Sequence, residues 1–500
     1  MESLIILPLI LPMLTGIILI FLWNYSGAHK RVAQLSSFAH LGICIYLLIY
    51  SSGNSALVLN MGGWPAPFGI TFVLDIFSSL MLTISSIVAL CTNVFADKME
   101  ELKKVRLGFY PLIQFLMMGV SGAFLTGDLF NLYVWYEVML ISSFILLALG
   151  GNTFQLGGAL KYTIINLKSS LLFLSSLGLI YGKLGTLNMA DIAQRLMNTS
   201  PLTPEIQSAF VLLFIAFALK AAVFPLFFWL PLSYPNTSYS VSAIFAGLLT
   251  KVGVYSLIRC TTLFFGHEFD WLQGPLIIIA CLTMIIGVFG ATSRSGMREI
   301  LSFHIISQIG YMILGLGLFG VWGVAWSIFY MFHHIAVKTN LFFAAGIVKY
   351  LRGNDRLSSM GDIYRDHPIF SLLFLIPALS LAGVPPLSGF FAKYGILFKA
   401  FDSQYYWAAV ISIFVGLLTL YSMIKIWAEG FWKKSSKKMH HQDLKSIKIP
   451  LTLFVPMLIL ALVTVLISIN PKWSYDISEK AANQLLNQEK YIQNVLGGNS

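Results

Sequence analysis

Apolar residues run in blocks of about 20, each long enough to cross ~30 Å of hydrocarbon as a helix. Short polar stretches separate them along nearly the whole chain. Without water to satisfy the backbone, an open segment crosses lipid only as a helix. About fourteen blocks can be marked, near 2–23, 32–51, 69–94, 107–126, 128–150, 160–182, 206–230, 238–263, 273–292, 300–320, 322–348, 369–400, 406–432 and 449–470. The pattern predicts an all-α integral membrane protein with about fourteen transmembrane helices. The first block lacks a basic start and is longer than a cleavable leader, so it is expected to remain as a span.

Proline interrupts two blocks. One reads Ala218-Leu219-Lys220-Ala221-Ala222-Val223-Phe224-Pro225, followed by Trp229-Leu230-Pro231. The other reads Ala382-Gly383-Val384-Pro385-Pro386-Leu387-Ser388-Gly389-Phe390-Phe391-Ala392-Lys393. Proline removes a backbone donor and frees a carbonyl, which a membrane helix tolerates only beside protein or water. The interrupted blocks are the seventh and the twelfth. That spacing predicts two inverted five-helix repeats with corresponding broken helices around a midplane ion site. The repeats would be 107–263 and 273–432. A three-helix segment, 1–106, would precede them. Residues 433–500 would hold a basic loop, the last transmembrane helix and an external tail.

Only 11% of the 500 residues are charged, yet the net charge is +11. The placement of that charge argues against a nucleic-acid partner. Lys30 and Arg31 follow the first block, Lys98, Lys103, Lys104 and Arg106 the third, and Lys161 opens the sixth. Arg294 and Arg298 follow the ninth; Lys349, Arg352, Arg356 and Arg365 the eleventh; Lys433, Lys434, Lys437, Lys438, Lys445 and Lys448 the thirteenth. The intervening loops are poor in basic residues, apart from Lys183, Arg195 and Lys399. This positive-inside alternation predicts a multi-pass membrane protein with both termini outside and the basic loops in the cytoplasm. The run at 433–448 then reads as a topology determinant. Cys44, Cys91, Cys260 and Cys281 all fall within spans and read as small core residues. No Walker or dinucleotide-binding glycine pattern occurs, and no cofactor or metal is expected. The chain reads as a secondary ion transporter rather than an enzyme, driven by an ion gradient or by a partner.

Charged residues inside the blocks carry the chemistry. Glu137 lies mid-block, and Lys220, Lys251, Lys338 and Lys393 lie near the middle or inner half of four others. A charge at the bilayer centre costs roughly 2.5–3.5 kcal/mol on insertion scales, so such residues mark ion or proton pathways. Glu137 reads either as a protonated structural acid or as the partner of Lys220, and the pairing is favoured. A nearby carboxylate favours the protonated lysine, so separating the pair would release a proton. Lys251, with Thr250 and flanking Gly247 and Gly253 leaving room for water, would be the next carrier. His334 and Lys338 share a helix face, and His333 lies beside them; imidazoles relay protons through either tautomer. Lys393 would terminate the row. His304, Ser307 and Gln308 are polar enough to hold bridging water, and His304 could instead sit near the cytoplasmic end. Lys168 fits either a snorkelling or a relay role. Asp75 and Asp128 read as helix caps, and Arg259 and Lys425 as snorkelling cations. His267, Glu268 and Asp270 read as a solvated outer loop. The central lysines cannot all be charged together cheaply, and a partly protonated row is what proton hopping requires.

Trp135-Tyr136-Glu137, the lysine before Pro225, Lys251, the stretch Ser307-Gln308-Ile309-Gly310-Tyr311, and Val384 to Lys393 together resemble the antiporter-like subunits of respiratory complex I. The resemblance covers the third to thirteenth blocks. Within that family the chain is most similar to the D subunits of the Mrp-type multisubunit Na+/H+ antiporters, on its length and on Lys393 at the twelfth-block position. One complex I relative carries Glu at that position, and some relatives carry His where Gln308 stands. The resemblance implies exchange of cytoplasmic Na+ for external H+ in a hetero-oligomer with several other membrane subunits. It also implies that Glu137, Lys220, Lys251, Lys338 and Lys393 carry protons along a hydrated central axis. One carboxylate among many lysines is a poor cage for Na+, which would pass through another chain of the assembly. Two other readings are a proton-pumping component of a complex I-type NADH/quinone oxidoreductase or membrane-bound hydrogenase, and a stand-alone solute symporter.

Overall fold

The computed structural model describes residues 2–198, 202–266, 269–434 and 447–497. Helices α1 (Leu7–Phe21) and α2 (Ser26–Gly53) lead into an antiparallel hairpin of β1 (Leu57–Asn60) and β2 (Thr71–Leu74). The first half continues with α3 (Ile76–Met99), α4 (Leu102–Arg106), α5 (Phe109–Leu125), α6 (Leu129–Ala148), α7 (Thr153–Leu184), α8 (Met189–Met197), α9 (Pro204–Ala221), α10 (Trp229–Ser233), α11 (Tyr239–Ile244) and α12 (Thr250–Phe264). The second half holds α13 (Asp270–Thr292), α14 (Met297–Gly317), α15 (Gly320–Arg352), α16 (Ile363–Asp366), α17 (Pro368–Ala382), α18 (Ser388–Asp402) and α19 (Tyr406–Ile426). Then come α20 (Leu451–Ile469), α21 (Pro471–Leu486) and α22 (Gln488–Leu496).

Among the described residues, twelve helices are long and apolar enough to cross a membrane, and Phe109–Leu125 and Pro368–Ala382 are shorter apolar helices. Burial sorts them. The most apolar stretches of α11–α12, α14 and α15 are wholly buried, and that of α3 is 83% buried. Those of α2 and α7 are only 33% buried, and these helices turn Leu, Ile and Phe side chains such as Leu35, Phe38, Leu160 and Leu171 outward, as lipid-facing helices do. Lys251 and Lys338 lie on the wholly buried helices, and Glu137 and Lys220 on the half-buried α6 and α9. All four cysteines are buried and unpaired with one another.

Both broken helices stop in the same way. In α9 the residue after the last turn, Ala222, takes φ 60°, and Val223 N donates to Ala218 O at 2.9 Å while Ala222 N donates to Leu219 O at 3.2 Å. In α17 Gly383 takes φ 89°, Val384 N donates to Leu379 O at 3.0 Å, and Gly383 N donates to Ser380 O at 3.1 Å. This paired closure is the Schellman end, which satisfies carbonyls a helix leaves free. Alanine in a left-handed conformation costs roughly 1–2 kcal/mol that glycine avoids. The first break therefore sits in a less permissive backbone than the second.

One expectation needs correction. The third block does not begin as helix: residues 71–74 form β2, with Leu57 opposite Leu74 and Asn60 opposite Thr71. Prolines 65 and 67 and Gly62 and Gly63, both at positive φ, turn the chain there, and Gly127 N donates to Thr71 O at 2.8 Å. The tail expected after α20 is helical. Asn470 and Asn487 cap α21 and α22, accepting from Trp473 N and Lys490 N at 3.1 Å each. The two amphipathic helices return over the bundle: Gln488 donates to Thr262 O and Leu263 O at 2.9 and 2.8 Å, and Gln484 accepts from Ile76 N at 3.0 Å. The lysines at 437, 438 and 445, like His267 and Glu268, lie outside the described residues.

Candidate functional site

The core of the site is built on α15, which is buried along its centre. His333, His334 and Lys338 are each at most 1% exposed. His333 Nδ1 shares a hydrogen bond of 2.8 Å with the Ser388 hydroxyl at the start of α18. Neither ring nitrogen of His334, nor Lys338 Nζ, has a hydrogen-bond partner among the described residues. His334 lies within electrostatic reach of Lys251, Lys338, His333 and His304, and Lys338 within reach of Lys251. The titratable groups of α12, α14 and α15 thus share one buried region. Polar atoms buried without protein partners call for water.

Lys251 approaches that region from α12. The chain makes a wide π-type turn at Phe245–Leu249, and Lys251 Nζ donates to Ala246 O at 2.5 Å. Single π-turns inside helices recur at functional sites. The glycines beside Lys251 do not open space for water, as the sequence suggests. A Cβ on Gly253 would lie 2.7 Å from Ala221 N, and one on Gly247 would collide with Thr339 Oγ1. They let α12 touch the backbone of α9, and the π-turn touch α15.

Lys393, on α18, reaches back across the second break and donates to Leu381 O and Ala382 O, both at 2.9 Å. Its ammonium also stands 5.1 Å from the centre of the Tyr311 ring. His304 is fully buried, with neither ring nitrogen partnered among the described residues, and lies within reach of Lys338 and Lys393. It therefore joins the buried region. Gln308 accepts from the Tyr330 hydroxyl and faces Ser307 at 3.5 Å, while Tyr330 stacks on Tyr311 with 5.4 Å between centroids.

The arrangement around Glu137 differs from the expected direct pair. Lys220 is 3% exposed and donates to Asn166 Oδ1 at 3.3 Å, with the Tyr136 and Tyr162 rings 5.9 and 5.8 Å from its Nζ. Glu137 lies within electrostatic reach of Lys220, but the two do not form an ion pair. The acid lies on the outward side of α6, beside exposed Val134 and Ile141, and its Oε1 is buried without a partner among the described residues. Lys168, two residues beyond Asn166 on α7, is exposed on the outside of the bundle and takes no part in the buried row.

Asp75 and Asp128 cap helices as expected, accepting from Ser78 N and Asn131 N at 2.8 Å each. Arg259 does not snorkel: it is 5% exposed and donates to Asp75 at 2.5 and 3.0 Å. Lys425 reaches the helix end instead, donating to Thr292 O and Arg294 O at 3.1 and 2.8 Å. The sequence did not mark out Asn166, Tyr162, Tyr330 or Ser388. An asparagine within a span, four residues from a tyrosine, was the one visible signal.

The membrane domain described as NADH:quinone oxidoreductase/Mrp antiporter, TM matches residues 126–419. This chain belongs to that family. It is 40% identical to the D subunit of the Na+/H+ antiporter of Alkalihalophilus pseudofirmus, over 99% of this chain and 100% of that one. It is 36% identical to the protein of the same name from Bacillus subtilis, over 99% and 100% of the two chains. A chain in the solved Mrp complex from Dietzia sp. superimposes with a TM-score of 0.92 at 32% identity, covering 99% of each chain.

Proposed function

We propose that the chain is the D-type membrane component of a multisubunit Na+/H+ antiporter, that it acts with other membrane subunits, and that its own share of the work is moving protons. The proposed carriers are Glu137, Lys220, Lys251, His334, Lys338 and Lys393, with His333, His304 and Gln308 beside them. The observation that carries this reading is the buried region where His334 lies within reach of Lys251, Lys338 and His304, and Lys338 within reach of Lys251, while several of their polar atoms have no partner among the described residues. Such groups cannot all hold charge in a low dielectric, so a proton added at one lowers the occupancy of its neighbours. Water at the unpartnered nitrogens would join them. Sodium is assigned to another chain of the assembly, since this buried region offers nitrogens where a hard cation wants oxygens.

In this reading the two shorter apolar helices complete a set of about fourteen crossings. The matching Schellman ends of α9 and α17 support two inverted repeats at 107–263 and 273–432. The termini lie outside and the basic loops in the cytoplasm. The chain is a transporter component rather than an enzyme. Reconstituting the whole assembly with Lys338→Met tests the reading. Exchange should fall at least tenfold with subunit composition unchanged; undiminished exchange would remove Lys338, and the buried region with it, from the path.

A further inference from the structure

The ends of α3, α5 and α12 that lie opposite the basic loops converge on an ion pair the proposed row does not use. Arg259 donates to Asp75 at 2.5 and 3.0 Å and to the Tyr255 hydroxyl at 2.9 Å, and that hydroxyl donates to Phe124 O at 2.6 Å. Lys251, Tyr255 and Arg259 are spaced by four, so one face of α12 leads from the row to this pair.

Two buried hydroxyls lie on the helices that meet α12 at Tyr255, where Phe77 of α3 stacks on its ring and Phe124 of α5 accepts from its hydroxyl. Ser85 on α3 and Ser121 on α5 are 1% and 0% exposed, and neither has a hydrogen-bond partner among the described residues. The neighbours of Ser85 behave otherwise: Thr83 donates to Ser79 O at 2.8 Å and Ser86 to Thr83 O at 2.7 Å. A helical hydroxyl that forgoes its own backbone and stays buried calls for another partner, usually water. Ser121 lies three residues, roughly 4.5 Å of helix, inward of Phe124. Ser85 lies one turn outward of Val88, which together with Thr339 faces Gly247, one turn inward of Lys251. Both hydroxyls therefore stand no deeper than about the level of Lys251 and inward of Arg259.

The tail closes the outer end. Tyr491 on α22 is 8% exposed, lies within electrostatic reach of Arg259 and Asp75, and its hydroxyl stands 3.3 Å from where a Cβ on Gly127 would be. A cavity of about 20 Å³, room for roughly one water, remains there between Asp75, Gln484, Lys490 and Tyr491.

From these placements we infer that the outward access to Lys251 runs between α3, α5 and α12 past Ser85 and Ser121, and that the Asp75–Arg259 pair beneath Tyr491 closes it in this conformation. The inference rests on Lys251 being a proton carrier. It makes Asp75, Arg259 and Tyr491 positioning residues that control access.

The test places Ser121→Cys in the whole assembly, with Cys44, Cys91, Cys260 and Cys281 replaced by serine or alanine. A negatively charged, membrane-impermeant methanethiosulfonate is added to right-side-out or to everted vesicles. Tyr491→Ala should raise the rate of modification from outside at least tenfold, without raising it from inside, and modification should block exchange. Asp75→Asn combined with Arg259→Gln, which removes both charges at near-constant volume, should give the same result and serves if Tyr491→Ala does not assemble. A rate unchanged by both variants, or faster from inside, would overturn the inference. Loss of exchange on Lys220→Ala in the same background would leave the proton-carrying reading intact whichever way the labelling falls.

Discussion

Lys393 Nζ donates to the carbonyls of both Leu381 and Ala382 at 2.9 Å, so the ammonium of one half-helix closes the cut end of the other. A cation at a helix C-terminus satisfies free carbonyls and meets the negative end of the dipole. Lys393 thus has a structural role in addition to its proposed place at the end of the row.

The two roles can be separated. Lys393→Gln keeps donors for the carbonyls but carries no proton at physiological pH. It should leave the assembly intact and reduce exchange at least tenfold. Lys393→Ala should reduce exchange as much and also lower the yield of assembled complex. An ionised glutamate would face two carbonyl oxygens, so Lys393→Glu should behave closer to alanine than its proton-carrying ability alone suggests. Full exchange in Lys393→Gln, measured as sodium-driven ΔpH, would leave only the structural role.

Among the described residues, Asn166 is the one side-chain oxygen that Lys220 meets within hydrogen-bond distance. Hydrogen bonds to charged groups contribute roughly 1.5–3 kcal/mol. Asn166→Leu should therefore depress exchange by about tenfold or more without loss of assembly, and Asn166→Asp should depress it less. Wild-type exchange in Asn166→Leu would mean the lysine is held by other means.

Gly389 tests the packing of the second break. A Cβ there would collide with Ser380 O, a backbone atom that cannot swing away. Overpacking of this kind costs typically about 1–3 kcal/mol, more when backbone must move. Gly389→Ala should cut the amount of folded complex recovered from membranes. Unchanged recovery would mean α17 and α18 are not so closely apposed.

The Asp75–Arg259 pair makes a prediction about pH. Burial alone would raise the Asp75 carboxyl, but the charge and hydrogen bonds of Arg259, with those of Ser78, outweigh it and hold the carboxyl below its ordinary value. A carboxyl lowered in the folded state adds stability that is present above its unfolded value, about 3.9, and is lost as pH falls below that. Removing one partner of a buried pair costs ~3–5 kcal/mol. Asp75→Asn should lower the melting temperature of the solubilised assembly at neutral pH, and the gap to wild type should narrow below about pH 4. Equal melting at neutral pH would show that the pair adds nothing.

The spans, the breaks and the buried charges were legible because lipid penalises any polar group that lacks a reason to be there. Lys251, Lys338 and Lys393 stood out that way, and the blocks placed helices such as α5, α6 and α14 to within a few residues, while α2, α3 and α7 start six or seven residues from theirs. What failed was whatever depended on a partner distant in sequence. Arg259 reads as snorkelling because nothing near it in sequence reveals Asp75, 184 residues away. Lys220 lies within electrostatic reach of Glu137, as the sequence suggests, but its hydrogen bond goes to Asn166 on another helix, which charge does not point to. Lys168 and Asn166 are two residues apart on α7, and only the packing tells which of them faces inward. The helices after α20 form no apolar block, so reading by blocks passes over them, although Asn470-Pro471 and Asn487 mark their starts.

Whether a connected row of titratable side chains carries protons through this chain is decided by sodium-driven ΔpH in vesicles holding the whole assembly. With Glu137→Ala or Lys220→Ala, exchange should fall severely while the subunits remain together. Wild-type exchange in both variants would show that the protons take another route.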